Sequence, residues 1–228
     1  MNDRFSSPIY NVTIASGENV TIDVTNSISS GLDPNHGVIS HLVPWMKKRG
    51  YTRVLDFGAG ALRHTIPLLK KDIQVVAVEY KRAYDRPKAK EMHAIASQYD
   101  GFTALVWPDD FLNCKLRYDV ALLLFVLQVI PVKLEREIVL EAIGSRFDKN
   151  GPKRLYYASR FGEARGLPDE TKHKDGWVRG RGANDRSFYT EWNAAETDKL
   201  FEKCDYKRAG SYEGASQPYL YDFQPGIL

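Results

Sequence analysis

Cysteine is nearly missing from this chain of 228 residues, which holds only Cys114 and Cys204. Two thiols cannot build a disulfide framework or a zinc quartet, so neither a stapled secreted scaffold nor a structural zinc fold is expected. Long apolar runs are missing as well. The best stretch, Val120 to Ile130, is interrupted by Gln128 and falls short of the roughly 18 residues that a membrane-spanning helix requires. The opening residues, MNDRFSSPIY, lack the basic and apolar regions of a secretory signal. Together these absences predict a protein of a reducing, cytoplasmic compartment. Charge of one sign is also lacking: 32 Lys and Arg against 29 Asp and Glu leave a net charge of +3, so composition does not single out a nucleic acid as partner. With 43% hydrophobic and 27% charged residues, there is ample apolar matter for a core. No repeat, low-complexity tract or linker divides the chain, and a single domain over 1–228 is expected.

What is present is an alternation of strand and helix patterns. Residues 1–37 read as an N-terminal arm or lid, with a short strand around Tyr10-Asn11-Val12-Thr13-Ile14. Ile39, Leu42, Val43 and Met46 fall at helical spacing, and Gly50 stands where a helix C-cap belongs. Val54-Leu55-Asp56-Phe57 then forms a short apolar strand that ends in Gly58-Ala59-Gly60, followed by a helical stretch from Leu62 to Lys71. Val75-Val76-Ala77-Val78 repeats the pattern, ending in Glu79, with a helix over Pro87 to Gln98. Further strands are expected at Phe102 to Val106, Val120 to Leu124 and Leu155 to Ser159, with a helix over Leu134 to Phe147. A last helix, Ala194 to Lys203, and two strands, Tyr206 to Ser211 and Pro218 to Phe223, would form an antiparallel edge hairpin. Nearly continuous apolar strands joined by helices imply a parallel sheet covered on both faces. The fold class is α/β, a doubly wound, mostly parallel seven-stranded sheet. Residues 161–190 show no clear period and read as an excursion carrying Arg165, Lys172, Lys174, Arg179, Arg181 and Arg186.

In a doubly wound sheet the ligand lies beyond the carboxyl ends of the strands, where strand order reverses. Gly58 and Gly60 would let the backbone turn sharply there and approach a ligand closely. Glu79, 19 positions after Gly60, suits the two vicinal hydroxyls of a ribose. A dinucleotide site would want a third glycine in GxGxxG, but Gly60 is followed by Ala61, Leu62 and Arg63. Asp56 is a poor neighbour for pyrophosphate and a good one for an ammonium group. The pattern asks for a nucleoside that carries an amino acid.

In order and spacing, these segments resemble the motifs of the class I S-adenosylmethionine-dependent methyltransferases, over about Val38 to Phe223, with most similarity to the small-molecule branch. The resemblance implies a Rossmann-like fold, S-adenosylmethionine as cofactor and no metal. It places Asp56 near the methionine amino group, with Gly58, Ala59 and Gly60 facing the cofactor. Glu79 and Tyr80 would lie at the ribose. Pro108-Asp109-Asp110-Phe111 resembles the third motif, in which Asp110, or its rival Asp109, receives the adenine amino group beside Phe111. Phe125 and Val126 would flank the sulfonium. Arg63 and His64 open the first helix, facing either the cofactor carboxylate or solvent.

The catalytic candidates are Gln128, His36 and His41, with Tyr10 behind them; each has a plain structural alternative as a polar cap or a core side chain. Trp177, if it covers the pocket, would be more informative than the basic residues around it, while Trp45, Trp107 and Trp192 are assigned to packing. The first functional reading is methyl transfer to a small-molecule acceptor. Its alternatives are an RNA- or nucleotide-modifying enzyme using the basic 165–186 segment, a non-catalytic methyltransferase-like subunit, and transfer of a group other than methyl from the same cofactor. No Asp/Asn-Pro-Pro-aromatic motif follows the fourth strand, and neither cysteine follows a proline, so base-amino and cytosine-carbon methylation of DNA are disfavoured.

Overall fold

The five residues Val120–Leu124 are apolar and buried without exception, so this strand needs cover on both faces and a neighbour on each edge. The computed structural model supplies both. It describes residues 7–28, 33–34, 36–159, 171–180, 186–190, 193–211 and 219–226, with His36 and Ser211 described by backbone alone. In chain order the strands and helices are β1 (Ile9–Thr13), β2 (Asn19–Asp23), α1 (His36–Arg49), β3 (Arg53–Phe57), α2 (Thr65–Leu69), β4 (Gln74–Tyr80), α3 (Lys81–Tyr84), α4 (Pro87–Ala96), β5 (Phe102–Trp107), α5 (Asp109–Asn113), β6 (Val120–Leu124), α6 (Lys133–Gly144), β7 (Arg154–Ala158), β8 (Lys172–His173), β9 (Gly176–Arg179), β10 (Ser187–Thr190), α7 (Ala194–Lys203), β11 (Tyr206–Ser211) and β12 (Tyr219–Phe223). Two 3-10 turns, Val24–Ser27 and Leu127–Val129, follow β2 and β6.

The main sheet has the order β11-β12-β7-β6-β3-β4-β5. Strands β3 to β7 pair in parallel, and β12 joins β7 antiparallel with β11 outside it. Alternation at period two sends successive residues to opposite faces. Leu55, Val76, Ala121, Leu123, Leu155 and Tyr157 pack under Val139, Leu140 and Ile143 of α6 and Phe201 of α7. Val54, Val75, Ala77, Val120, Leu122 and Tyr156 meet Leu42 and Met46 of α1, Leu68 of α2 and Met92 of α4. The same parity puts Asp56 and Glu79 on this second face, at the carboxyl ends of adjacent strands. Asn193 closes the start of α7 with a reciprocal capping box to Glu196, and Gly50, at φ +73°, ends α1.

Two local expectations change. The first helix after the glycine turn is shorter than Leu62 to Lys71, because Leu62 sits at φ +60°, a conformation no helical residue takes, and winding begins only at Thr65. The arm and the excursion also are not a lone strand and a loop. β1 and β2 form a hairpin, and β8, β9 and β10 form a three-stranded antiparallel sheet. They share a small core of Val12, Val20, Ile22, Val178 and Phe188. Backbone bonds from Ala15 N–H to the Lys172 carbonyl (2.8 Å) and from Asp23 N–H to the Arg186 carbonyl (3.3 Å) join them. This β-layer is tied to the main domain by Arg82 to Asp23 (2.7 Å), Arg86 to Thr25 (2.8 Å), and the Tyr10 hydroxyl donating to Glu135 of α6. Arg165 and Arg181 of the basic segment, and Trp192, lie outside the described residues.

Candidate functional site

Strand order reverses between β3 and β6, and a cavity of about 420 Å³ opens at their carboxyl ends. That volume lies within the range of ordinary small-ligand sites. Its floor is the turn after β3. Gly58 and Ala59 both donate their N–H to the Val78 carbonyl (2.9 and 3.1 Å), which folds the turn tightly against β4. Gly58 takes φ +72°, and a Cβ there would overlap Val126 Cγ2, so this crossing of the two strand ends admits only glycine. Phe125, the residue after β6, also holds a positive φ of +63°, fixed by its N–H on the Ala158 carbonyl at 2.7 Å. Strain of this kind costs on the order of 1–3 kcal/mol and persists where the surroundings enforce it.

Two buried carboxylates face one another across this floor. Asp56 accepts the Thr65 hydroxyl at 2.7 Å. Burial pushes its carboxyl up to about 6, against the pull of Thr65 and of the Arg63 guanidinium. Glu79 spans the turn, accepting the Gly60 N–H at 3.1 Å through one oxygen and the Tyr80 N–H at 2.8 Å through the other. Burial pushes it up to about 7 in spite of those bonds, with Asp56 adding to the rise. Burial disfavours the charged form of both, and a cation or hydroxyl-bearing ligand would relieve that cost. His64 is the reverse case. Burial, with the Arg63 charge beside it, pushes it down to about 3, so it stands neutral on the wall.

The remaining expected residues divide. Ala59, Tyr80, Phe125, Val126 and Gln128 line the cavity with Asp56, Gly58, Gly60 and Glu79. Gln128 is buried and accepts the Ser159 hydroxyl at 3.0 Å. Asp110 and Phe111 do not line it. Residues 109–113 wind into α5, where Asp110 turns back to accept the Val106 N–H at 2.9 Å and Phe111 packs wholly buried against Phe57. Trp107, expected only to pack, takes the place on the wall while its ring edge meets Phe57 at 5.1 Å. His41 is off the cavity too: its Nδ1 lies 3.0 Å from the Tyr156 hydroxyl, against the middle of the sheet. The His36 side chain lies outside the described residues. Tyr10 is committed to Glu135, and Trp177 faces the Lys172 ammonium at 5.4 Å instead of covering the pocket.

Sequence reasoning missed the wall opposite the turn. Thr25, Ser27 and Ile28 after β2, and Arg179, Ser187 and Tyr189 of β9 and β10, close that side. A signal was there: Gly176 to Arg179 and Ser187 to Thr190 are two short β-rich runs about a Gly-, Asn- and Asp-containing stretch, the pattern of a hairpin. Among the described residues no group of His, Cys, Asp and Glu is arranged to hold a metal ion, and no helix is long and apolar enough to cross a membrane.

No family model and no curated protein sequence matches this chain. Solved structures do. The 1,6-didemethyltoxoflavin-N1-methyltransferase of Burkholderia thailandensis, solved with 1,6-didemethyltoxoflavin and S-adenosylhomocysteine, is 19% identical, over 81% of this chain and 76% of that one, with a TM-score of 0.55. The CcbJ methyltransferase of Streptomyces caelestis is 16% identical over 87% of this chain and 94% of its own, with a TM-score of 0.58. CalS10 of Micromonospora echinaspora, an amino pentose methyltransferase solved with S-adenosylmethionine, is 14% identical over 82% and 89%, with a TM-score of 0.53. The chain has the doubly wound fold of these methyltransferases.

Proposed function

We propose that this protein is an S-adenosylmethionine-dependent methyltransferase that modifies a small-molecule acceptor. The observation that carries the reading is the pair of desolvated carboxylates, Asp56 and Glu79, flanking a glycine turn at the switch point of the sheet. Fold likeness adds support, since three structural relatives are methyltransferases and two of them were solved with the cofactor or its product.

The donor set fits the cofactor group by group. Asp56 is a buried anion for the methionine ammonium. Glu79, already fixed by two backbone N–H groups, offers its remaining lone pairs to the ribose hydroxyls. The apolar side of Trp107, beside Tyr80, suits the base. Phe125 and Val126, at the end of β6, flank the position where sulfur would lie. S-adenosylmethionine supplies a methyl group already activated for in-line displacement. The chain is left to orient the acceptor and exclude water, which the β-layer over the cavity does with Thr25, Ile28 and Tyr189. We assign the protein to the cytoplasm, a compartment that suits its two thiols outside any disulfide, Cys114 and Cys204.

Titration of S-adenosylhomocysteine into the wild type, Asp56→Asn and Glu79→Gln tests the placement. Each substitution should weaken binding by about 1–3 kcal/mol, or roughly 5- to 150-fold, the cost of leaving buried polar partners unmatched. Unchanged affinity in both variants places the cofactor elsewhere. In turnover, an acceptor gaining one methylene unit supports methyl transfer, and release of methylthioadenosine contradicts it.

A further inference from the structure

We infer that the acceptor is a small organic acid, bound as its anion with the oxyanion on Arg179; this rests on the methyltransferase reading above. Among the described residues, the cavity wall carries two anions, Asp56 and Glu79, and two permanent cations, Arg63 and Arg179. The cofactor's amino-acid end needs one anion and one cation close together, because its ammonium and carboxylate share a single carbon. Arg63 is the cation near Asp56. It pulls on the Asp56 carboxyl and presses on His64, and its guanidinium lies 5.9 Å from the Phe125 ring centre. Glu79 answers to the ribose. Arg179 is left over.

Arg179 belongs to the opposite wall. In the register of β9 and β10 it stands across from Ser187, with Tyr189 diagonal to it on the same face. Its guanidinium lies 5.6 Å from the Tyr189 ring centre, and among the described residues no carboxylate comes within ion-pair distance. The contrast with Arg186 seven residues on is instructive, since that guanidinium is spent on Glu18 at 2.9 Å. The Tyr189 ring lies within cation–π reach of Arg179 on the wall, and the planar guanidinium fork matches the two oxygens of a carboxylate. The Ser187 hydroxyl lies beside it on the same face. The cavity lining also holds the apolar Val129, Ile130 and Val139, with Val129 packed against the core of the same β-layer. One cationic fork in a cavity that also carries apolar lining selects a molecule with an apolar body and an acidic end.

The test uses the full chain saturated with S-adenosylhomocysteine and titrated with matched pairs of probes: benzoate and benzamide, indole-3-acetate and its amide, with phenyl phosphate as a second oxyanion. Acids should bind at least tenfold more tightly than their amides. Arg179→Gln should abolish that preference and Arg179→Lys should restore part of it, with affinity for S-adenosylhomocysteine unchanged in both. A preference for phenyl phosphate over the carboxylates keeps Arg179 as the anion site and makes the acceptor a phosphate ester, overturning the carboxylate assignment. Equal binding of acids and amides, no binding of either, or an acid preference that survives Arg179→Gln overturns the proposal while leaving the cofactor reading intact. Failure of the wild type to bind S-adenosylhomocysteine removes the cofactor reading itself, and the charge matching with it.

Discussion

Alanine at Gly58 should cost far more than alanine at Gly50, although the two glycines share almost the same backbone angle. Gly58 has φ +72° and Gly50 φ +73°. An L side chain in that region costs about 1–2 kcal/mol, and both variants incur it. The surroundings differ. A Cβ at Gly50 meets nothing within 4 Å, whereas at Gly58 it overlaps Val126 Cγ2 and lies 3.3 Å from Cγ1. Forcing an extra carbon into packed surroundings adds about 1–3 kcal/mol, so Gly58→Ala should lose about 2–5 kcal/mol in all. For a chain of this size each kcal/mol moves the midpoint by about 2–4 °C. Urea and thermal unfolding of both variants, with Val126→Ala and the double variant, closes the cycle. Removing both Val126 γ-carbons should make Gly58→Ala no worse than Gly50→Ala. Equal losses at the two glycines in the wild-type background, or no recovery in the double variant, would refute the crossing of β3 and β6 on which the site is built.

Other outcomes follow from the same geometry. Burial holds Asp56 near 6 and Glu79 near 7, above the values near 4 of an unfolded chain, so the ligand-free fold keeps protons that the unfolded chain loses. The stability that they contribute is complete below about pH 4 and is lost as pH rises to about 7; Glu79→Gln should flatten that fall in denaturant titrations from pH 5 to 8. His64, held near 3, runs the other way, and His64→Gln should remove stability gained between about pH 3 and 6.5. Tyr10→Phe strips the buried Glu135 carboxylate of its donor. About 1–3 kcal/mol should be lost, and amide exchange in the β1–β2 hairpin should quicken ahead of exchange in the main sheet.

The main sheet was legible because its signals are local. Val54 to Phe57 and Val75 to Val78 are apolar runs that end at Gly58 and Glu79, and pairing the strands in parallel brings Asp56 and Glu79 together at their carboxyl ends. Leu62 was not legible as a helix breaker. It holds a positive φ with its side chain fully buried in the core on that face of the sheet, so tertiary packing goes with a conformation its helical preference does not favour. The β-layer was hidden for another reason: its parts lie about 160 residues apart, and the bond from Asp23 to Arg186 leaves no trace in any local period. The direction of the Asp110 side chain was not legible, because sequence located the end of β5 but a helical turn at 109–113 sets that carboxylate on the Val106 N–H. His41 fits an apolar helix face as well as a catalytic one in sequence, and its placement against Tyr156 is set by packing that no local period shows.

Calorimetric titration tests the cavity beside Asp56 and Glu79 most directly. S-adenosylmethionine and S-adenosylhomocysteine should each bind saturably. Their affinity should rise from pH 5.5 to 8 as the two carboxyls lose their protons to meet the ammonium and the ribose, and a nicotinamide dinucleotide should give no heat. Absence of binding by both, or equal binding of the dinucleotide, would contradict the cofactor site and leave only the fold.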